Sequence, residues 1–262
     1  MMRALWTAAT GMVTQQSHMD VIANNLANVN TTGAKKQRAE FQDLMYQSVR
    51  EAGATSGADT QYPTAIQMGS GARLSATTRV FTQGNFETTG DPSNLAIEGE
   101  GFFQVTMPDG TLSYTRDGSF KLDSNRRMVT TDGYPIEPEI IIPENAASDS
   151  IVIAADGQVS VTIDKESQDV GQLTLARFVN PAGLKAEGKN MFTVTNASGE
   201  AIVSNPTEDG AGAIAQKTLE MSNVQIVEEM VNMIIAQRAY ETNSKAITTS
   251  DSMLEVANGL KR

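Results

Sequence analysis

Both ends of this 262-residue chain carry an apolar residue at every seventh position, and that pairing limits what can fold from it. Leu5, Met12, Met19 and Leu26 recur near the N-terminus, and Ile226, Met233, Tyr240, Ile247 and Leu254 near the C-terminus. A seven-residue period keeps a narrow stripe on one side of an α-helix, so each end reads as a long amphipathic helix. Such a stripe is too narrow to close a globular core, and no other helix of comparable length is visible between the two. Each end therefore expects the other end, or the same helices of neighbouring copies, as its partner.

The C-terminal helix is well punctuated. Ser222-Asn223-Val224-Gln225 fits a capping box, with Met221 placed to staple onto Ile226. Glu228 and Glu229 suit the positive end of the helix dipole, and Lys261 and Arg262 the negative end. With Gly259 as a left-handed stop, the signals predict a helix of about 35 residues, a length that points to a coiled coil or bundle. The N-terminal helix is expected from about Arg3 to about Val29, ending in the turn Asn30-Thr31-Thr32-Gly33.

Composition narrows the function classes. Hydrophobic residues make up 40% and aromatics only 5%, which suits a surface-rich shape better than a thick globule. A net charge of −11 argues against a nucleic-acid partner, since neutralising phosphates takes clustered Lys and Arg. The one basic cluster, Lys35-Lys36 with Arg38, reads as a solvated turn after the helix. The chain has no cysteine, which removes thiol catalysis, Cys-ligated metals and disulfides together. Residues Met1 to Val13 are mildly apolar but broken by Thr7, Thr10 and Gly11, so no cleaved signal peptide is expected. Without an apolar run long enough to span a bilayer, the protein is not expected to be membrane-embedded.

From Ala72 onward the hydrophobic period changes from seven to two. Asp109-Gly110, Asp117-Gly118, Asp132-Gly133 and Asp156-Gly157 separate alternating runs such as Phe103-Gln104-Val105 and Val159-Ser160-Val161. Asp-Gly is a strong hairpin signal, so roughly Arg79 to Val203 is expected to form an antiparallel β domain of many short strands. Phe41 to Val49 reads as helical or extended, and Glu51 to Asp59, poor in bulky residues, as a flexible loop. The resulting fold class is α+β: terminal helices forming a coiled-coil-like foot, an inserted antiparallel all-β domain, and an extended β/loop connector. The expected bounds are 1–33 and 218–262 for the helical domain, 34–83 and 204–217 for the connector, and 84–203 for the β domain.

A search for chemistry finds little. His18 is the one histidine and reads as a packing or surface residue rather than a ligand. Gly99-Glu100-Gly101 lacks the third glycine of a dinucleotide fingerprint and reads as a tight turn into a strand. Glu98 and Glu100 lie two apart in a glycine-rich turn with no other catalytic signature nearby, so no enzymatic activity, cofactor or metal is expected. Methionines gather towards the two ends, among them Met230 and Met233, where their flexible thioethers suit interfaces that repack between slightly different neighbours. Asn24, Asn25 and Asn28 carry amides able to bond between helices.

Those same residues carry a resemblance. Ala23-Asn-Asn-Leu-Ala-Asn-Val-Asn-Thr-Thr-Gly33 resembles the N-terminal signature of bacterial flagellar axial proteins, the family of rod, hook and hook-associated subunits. The stretch from Glu220 to Lys245 is similar to that family's C-terminal signature, and Ala96 to Gln104 and Tyr114 to Phe120 are similar to the β domain of rod and hook members. Nearly the whole chain is covered. Its length, and the segment of about Gln47 to Gly71, look most like rod subunits of the distal type, with a proximal rod subunit of similar length or a hook-family subunit as alternatives.

The resemblance implies a structural subunit of a helical tube that transmits torque from motor to hook and encloses the export channel. It implies type III export, and a place in the basal body crossing the periplasm and outer membrane. The implied partners are other copies of the chain, proximal rod proteins, hook protein, peptidoglycan-layer and outer-membrane ring proteins, and the export apparatus. The residues expected at the assembly interface are Leu5, Met12, Met19, Asn24, Asn25, Leu26, Asn28, Ile226, Met230, Met233, Tyr240, Ile247 and Leu254.

Overall fold

A computed structural model describes residues 2–57, 60–143, 145, 150–163 and 166–259 of the chain, and the expectations for Lys261 and Arg262 lie outside them. The fold is α+β: two terminal helices, α1 (Met2–Ala27) and α2 (Ile226–Gly259), with short antiparallel strands between them in sequence. The chain divides into two compact units. One holds 1–26, 37–78 and 225–262, and the other 27–36 and 79–224.

In the first unit, α2 runs for 34 residues and α1 for 26. The start of α2 differs from expectation. The Gln225 carbonyl accepts the Glu229 N–H at 3.0 Å, which makes Gln225 the N-cap, and the capping box from Ser222 does not form. Gly259 is helical rather than left-handed. The strand Gln37–Asp43 pairs with Ala72–Arg79, and Gln47–Arg50 pairs antiparallel with Ile66–Met68. Of the expected flexible loop at 51–59, residues 51–57 are instead part of this ribbon, since Thr55–Gly57 pairs with Thr60–Gln61, and residues 58 and 59 lie outside the described ones. Bulky side chains are scarce there, and backbone bonds do the holding: the Gly53 N–H donates to the Tyr62 carbonyl and the Tyr62 N–H to the Ala54 carbonyl. The Arg50 guanidinium lies 3.8 Å from the Tyr62 ring centre, a cation–π contact that adds to the pairing.

The second unit is built on a five-stranded antiparallel sheet in the order Ile136–Glu137, Phe103–Thr106, Leu112–Thr115, Met191–Thr193 and Lys185–Gly188. Successive side chains of a strand point to opposite faces, and this unit uses both. Phe103 enters a core with Leu95, Ile97, Phe120 and Val161, while its neighbour Phe102 enters a second core with Tyr114, Phe178 and Phe192. Leu175 and Ala176 divide in the same way. Edge-to-face rings order both cores, Phe103 on Phe120 at 5.1 Å and Tyr114 on Phe178 at 4.9 Å.

Three of the four Asp-Gly pairs between Arg79 and Val203 make hairpin turns of one kind. In each, the glycine N–H bonds back three residues, to Met107, Thr130 or Ala154, and the glycine takes a left-handed φ between 79° and 85°. The aspartates keep ordinary φ, so these are type I turns followed by a left-handed glycine. Asp117-Gly118 is different. Gly118 lets two backbones touch, since a Cβ there would fall on the Leu95 carbonyl oxygen, and its own carbonyl accepts the Leu95 N–H at 3.0 Å.

Ser222, Asn223 and Val224 belong to this second unit and show why the helix starts late. The Asn223 carboxamide accepts the Lys36 N–H at 2.7 Å and donates to the carbonyls of Val80 and Thr82. That clamp keeps residues 222–224 extended, and the Ser222 hydroxyl accepts the Val224 N–H in a local turn.

Candidate assembly surface

Two contacts fix how α1 and α2 pack. The Asn25 amide donates to the Glu229 carboxylate at 3.2 Å, and a Cβ on Gly11 would lie 2.8 Å from the Asn243 amide nitrogen. These contacts are 14 residues apart on both helices (25 − 11 and 243 − 229), so the pair runs antiparallel without slipping. The separation is two heptads, which returns the same side of each helix to the seam.

The seam itself is filled by a second heptad set, offset from the apolar repeat. Ala8 and Ile22 on α1, and Glu229 and Ala236 on α2, are buried. Small residues there let the helices come close, and Gly11 gives room for Asn243. Sequence reasoning missed Ala8, Gly11, Ala236 and Asn243 because small and polar residues make no hydrophobic stripe. The signal for Ala8, Ala236 and Asn243 was the spacing three residues after a large apolar position, and Gly11 lies three further on from Ala8.

The expected interface residues are therefore only partly covered within one copy. Leu5, Met12, Met19, Leu26, Met233, Ile247 and Leu254 are half-buried, and Ile226, Met230 and Tyr240 are exposed. Asn24 is exposed on α1, and Asn28 lies past the helix end, where its side chain accepts the Thr31 hydroxyl. Asn25 is the buried one of the three. Its carboxamide accepts the Gln37 N–H and donates to the Gln37 carbonyl, both at 2.8 Å, which ties the first strand to α1 while the same amide reaches α2. His18, half-buried, stacks edge-on against Phe41 with ring centres 5.7 Å apart.

Residues 5–35 match the family described as flagella basal body rod protein, and residues 215–260 the flagellar basal body rod FlgEFG protein C-terminal family. Residues 96–161 match the flagellar hook protein FlgE/F/G D1 domain. The flagellar basal-body rod protein FlgG of Borreliella burgdorferi is 54% identical over the full length of both chains. The chain belongs to the flagellar basal-body rod protein family. The protein of the same description from Buchnera aphidicola subsp. Acyrthosiphon pisum is 51% identical over 97% of this chain and 98% of its own, and that from Bacillus subtilis 40% over all of both. As a member of this family, the protein is a structural subunit of the flagellar basal-body rod.

The three matched segments of this rod protein each send one residue into a buried ion cluster. Lys35, from the first segment, lies 2.6 Å from one Glu220 oxygen, and Arg116, from the second, 3.0 Å from the other; Glu220 comes from the third. All three belong to the second unit and their side chains are at most 4% exposed. Further bonds surround the cluster: Lys35 also donates to the Thr82 carbonyl, Arg116 to the Gly99 carbonyl, and Glu220 accepts the Gly84 N–H, while the buried Arg116 Nε has no partner among the described residues. The expectation of a solvated basic turn thus fails at Lys35, while Arg38 is exposed and pairs with Glu40. A charged residue is buried here because its partner is buried with it, and the partner lies 185 residues away in sequence. Burial lowers the pKa of Lys35 against the attraction of Glu220, and repulsion from Arg116 lowers it further. Burial works against the charge on Glu220 too, but Arg116 and Lys35 together outweigh it and hold its carboxyl below the ordinary value.

Proposed function

We propose that the protein is the distal rod subunit, polymerising through its terminal helices into a helical tube that transmits torque from motor to hook and encloses the export channel. The observation that carries this reading is the surplus of apolar surface on helices that already pack together. Val227, Met230, Val231, Ile234 and Ile235 are each about half to three-quarters exposed, although Glu229 and Ala236 on the same helix are buried. Exposed apolar faces of this kind mark interaction sites.

A repeated head-to-tail contact that does not close generates a filament, and terminal helices that meet neighbouring copies provide one. The paired ribbon at 47–68 falls in the segment where distal rod subunits differ from hook subunits, and it favours the distal reading over a proximal rod or hook subunit. The role is mechanical. Its partners are then other copies, the proximal rod, the hook, the surrounding peptidoglycan-layer and outer-membrane rings, and the export apparatus that delivers it. Among the described residues no helix is long and apolar enough to cross a membrane.

The test is Met233→Asp or Ile247→Asp in cells that make no other copy. Basal bodies isolated from them should end short of the hook, with cells non-motile, while the purified variant retains its β-sheet circular dichroism. Full-length rods and normal swimming would contradict the reading.

A further inference from the structure

We propose that an apolar groove on α1 receives the exposed face of α2 from a second copy, and that this ridge-in-groove pairing is one repeating contact of the polymer. The inference rests on the rod-subunit reading and adds the residues that meet. The groove encloses about 310 Å³ in the first unit, between α1 and the strand Ala72–Arg79. Trp6, Val13, Leu44 and Leu74 line it, and Arg73 is its one charged lining residue among the described residues. Trp6 is 70% exposed and Val13 63%, so the described residues of the same copy leave most of both side chains open.

The ridge is Val227, Met230, Val231 and Ile234, spaced i, i+3, i+4 and i+7, which is the anchor pattern of a helix that lies in a groove. The charges match. The ridge begins beside Glu228, and α2 carries no Lys or Arg before Arg238, whereas Arg73 lines the groove and Arg3 opens α1. A ridge flanked by carboxylate and a groove flanked by guanidinium attract in one orientation and repel like faces.

A copy cannot fill its own groove with its own ridge. Gly11, on the turn of α1 that lines the groove, faces Asn243, and Val231 lies 12 residues before Asn243 (243 − 231). That offset is about 18 Å along the helix. The ridge that fills a groove therefore comes from another copy, and groove and ridge are different patches. The contact is head-to-tail, and it leaves a free ridge at one end of the growing chain and a free groove at the other, as an open filament requires.

The chain has no cysteine, so paired cysteines report the contact directly. Val13→Cys with Val231→Cys, and separately Leu74→Cys with Met230→Cys, are placed in full-length chain as the sole copy in cells. Isolated basal bodies are then mildly oxidised and run without reductant. A ladder of dimers, trimers and longer species from either double variant, absent from each single variant, is the expected result. Intact rods without a ladder from both pairs would overturn this contact and leave the rod-subunit reading standing. Absence of the wild-type protein from the rods would overturn both.

Discussion

Glu220 shows how a single residue holds distant parts of the chain together. One carboxylate sits between two buried cations, so removing it leaves Lys35 and Arg116 facing each other, whereas removing Lys35 leaves a one-to-one pair. Glu220→Gln should cost about 3–5 kcal/mol, the range for breaking a buried pair. Lys35→Met should cost no more than about 1–2 kcal/mol, because Glu220 keeps Arg116 and the Gly84 N–H and the Thr82 carbonyl keeps the Asn223 amide as a donor. Urea unfolding of the two variants checks the order, and equal losses would contradict it. The pH dependence has a definite sign. The folded carboxyl titrates below its ordinary value of 4.5, so its stabilising contribution is complete above that value and is lost as pH falls through the lower folded one. Acid unfolding of Glu220→Gln should lack that component. None of this was legible in the sequence, because a buried charge is recognisable only by its partner. By contrast, the twin phenylalanines were legible as strand, and period two explains why they feed two cores.

The helices were legible in existence, length and apolar phase, but not in which residues meet. Large apolar positions draw attention, yet it is Ala8, Gly11 and Ala236 that set how closely α1 and α2 approach. Gly11→Ala should be tolerated, since the Asn243 side chain can turn aside. Gly11→Leu should push the helices apart and sharply reduce polymer recovered by sedimentation. Equal polymer yield from both would mean that close packing at this turn does not matter for assembly. The start of α2 was misjudged by three residues for a related reason. The Ser-x-x-Gln spacing satisfies a local rule, but Asn223 is engaged with Lys36, Val80 and Thr82 and cannot enter a helix. Residues 51–57 read as a loop because they carry few of the bulky residues that usually announce a strand; backbone pairing and Arg50 on Tyr62 supply what side-chain burial does not.

At the scale of the whole molecule, we propose that assembly is carried by the terminal helices and that the β unit is a self-sufficient passenger. The sequence signatures at the two ends already pointed there, and the structure adds where the β unit ends. Glu220 and Asn223 belong to it, so a chain cut before them would lose its ion cluster and its clamp. The most direct measurement compares full-length protein with a chain of residues 27–224 by electron microscopy over a rising concentration series. Tubes or ordered oligomers from the full-length chain alone, with the shorter chain folded and monomeric, are the predicted result. Ordered polymer from the shorter chain would contradict the account.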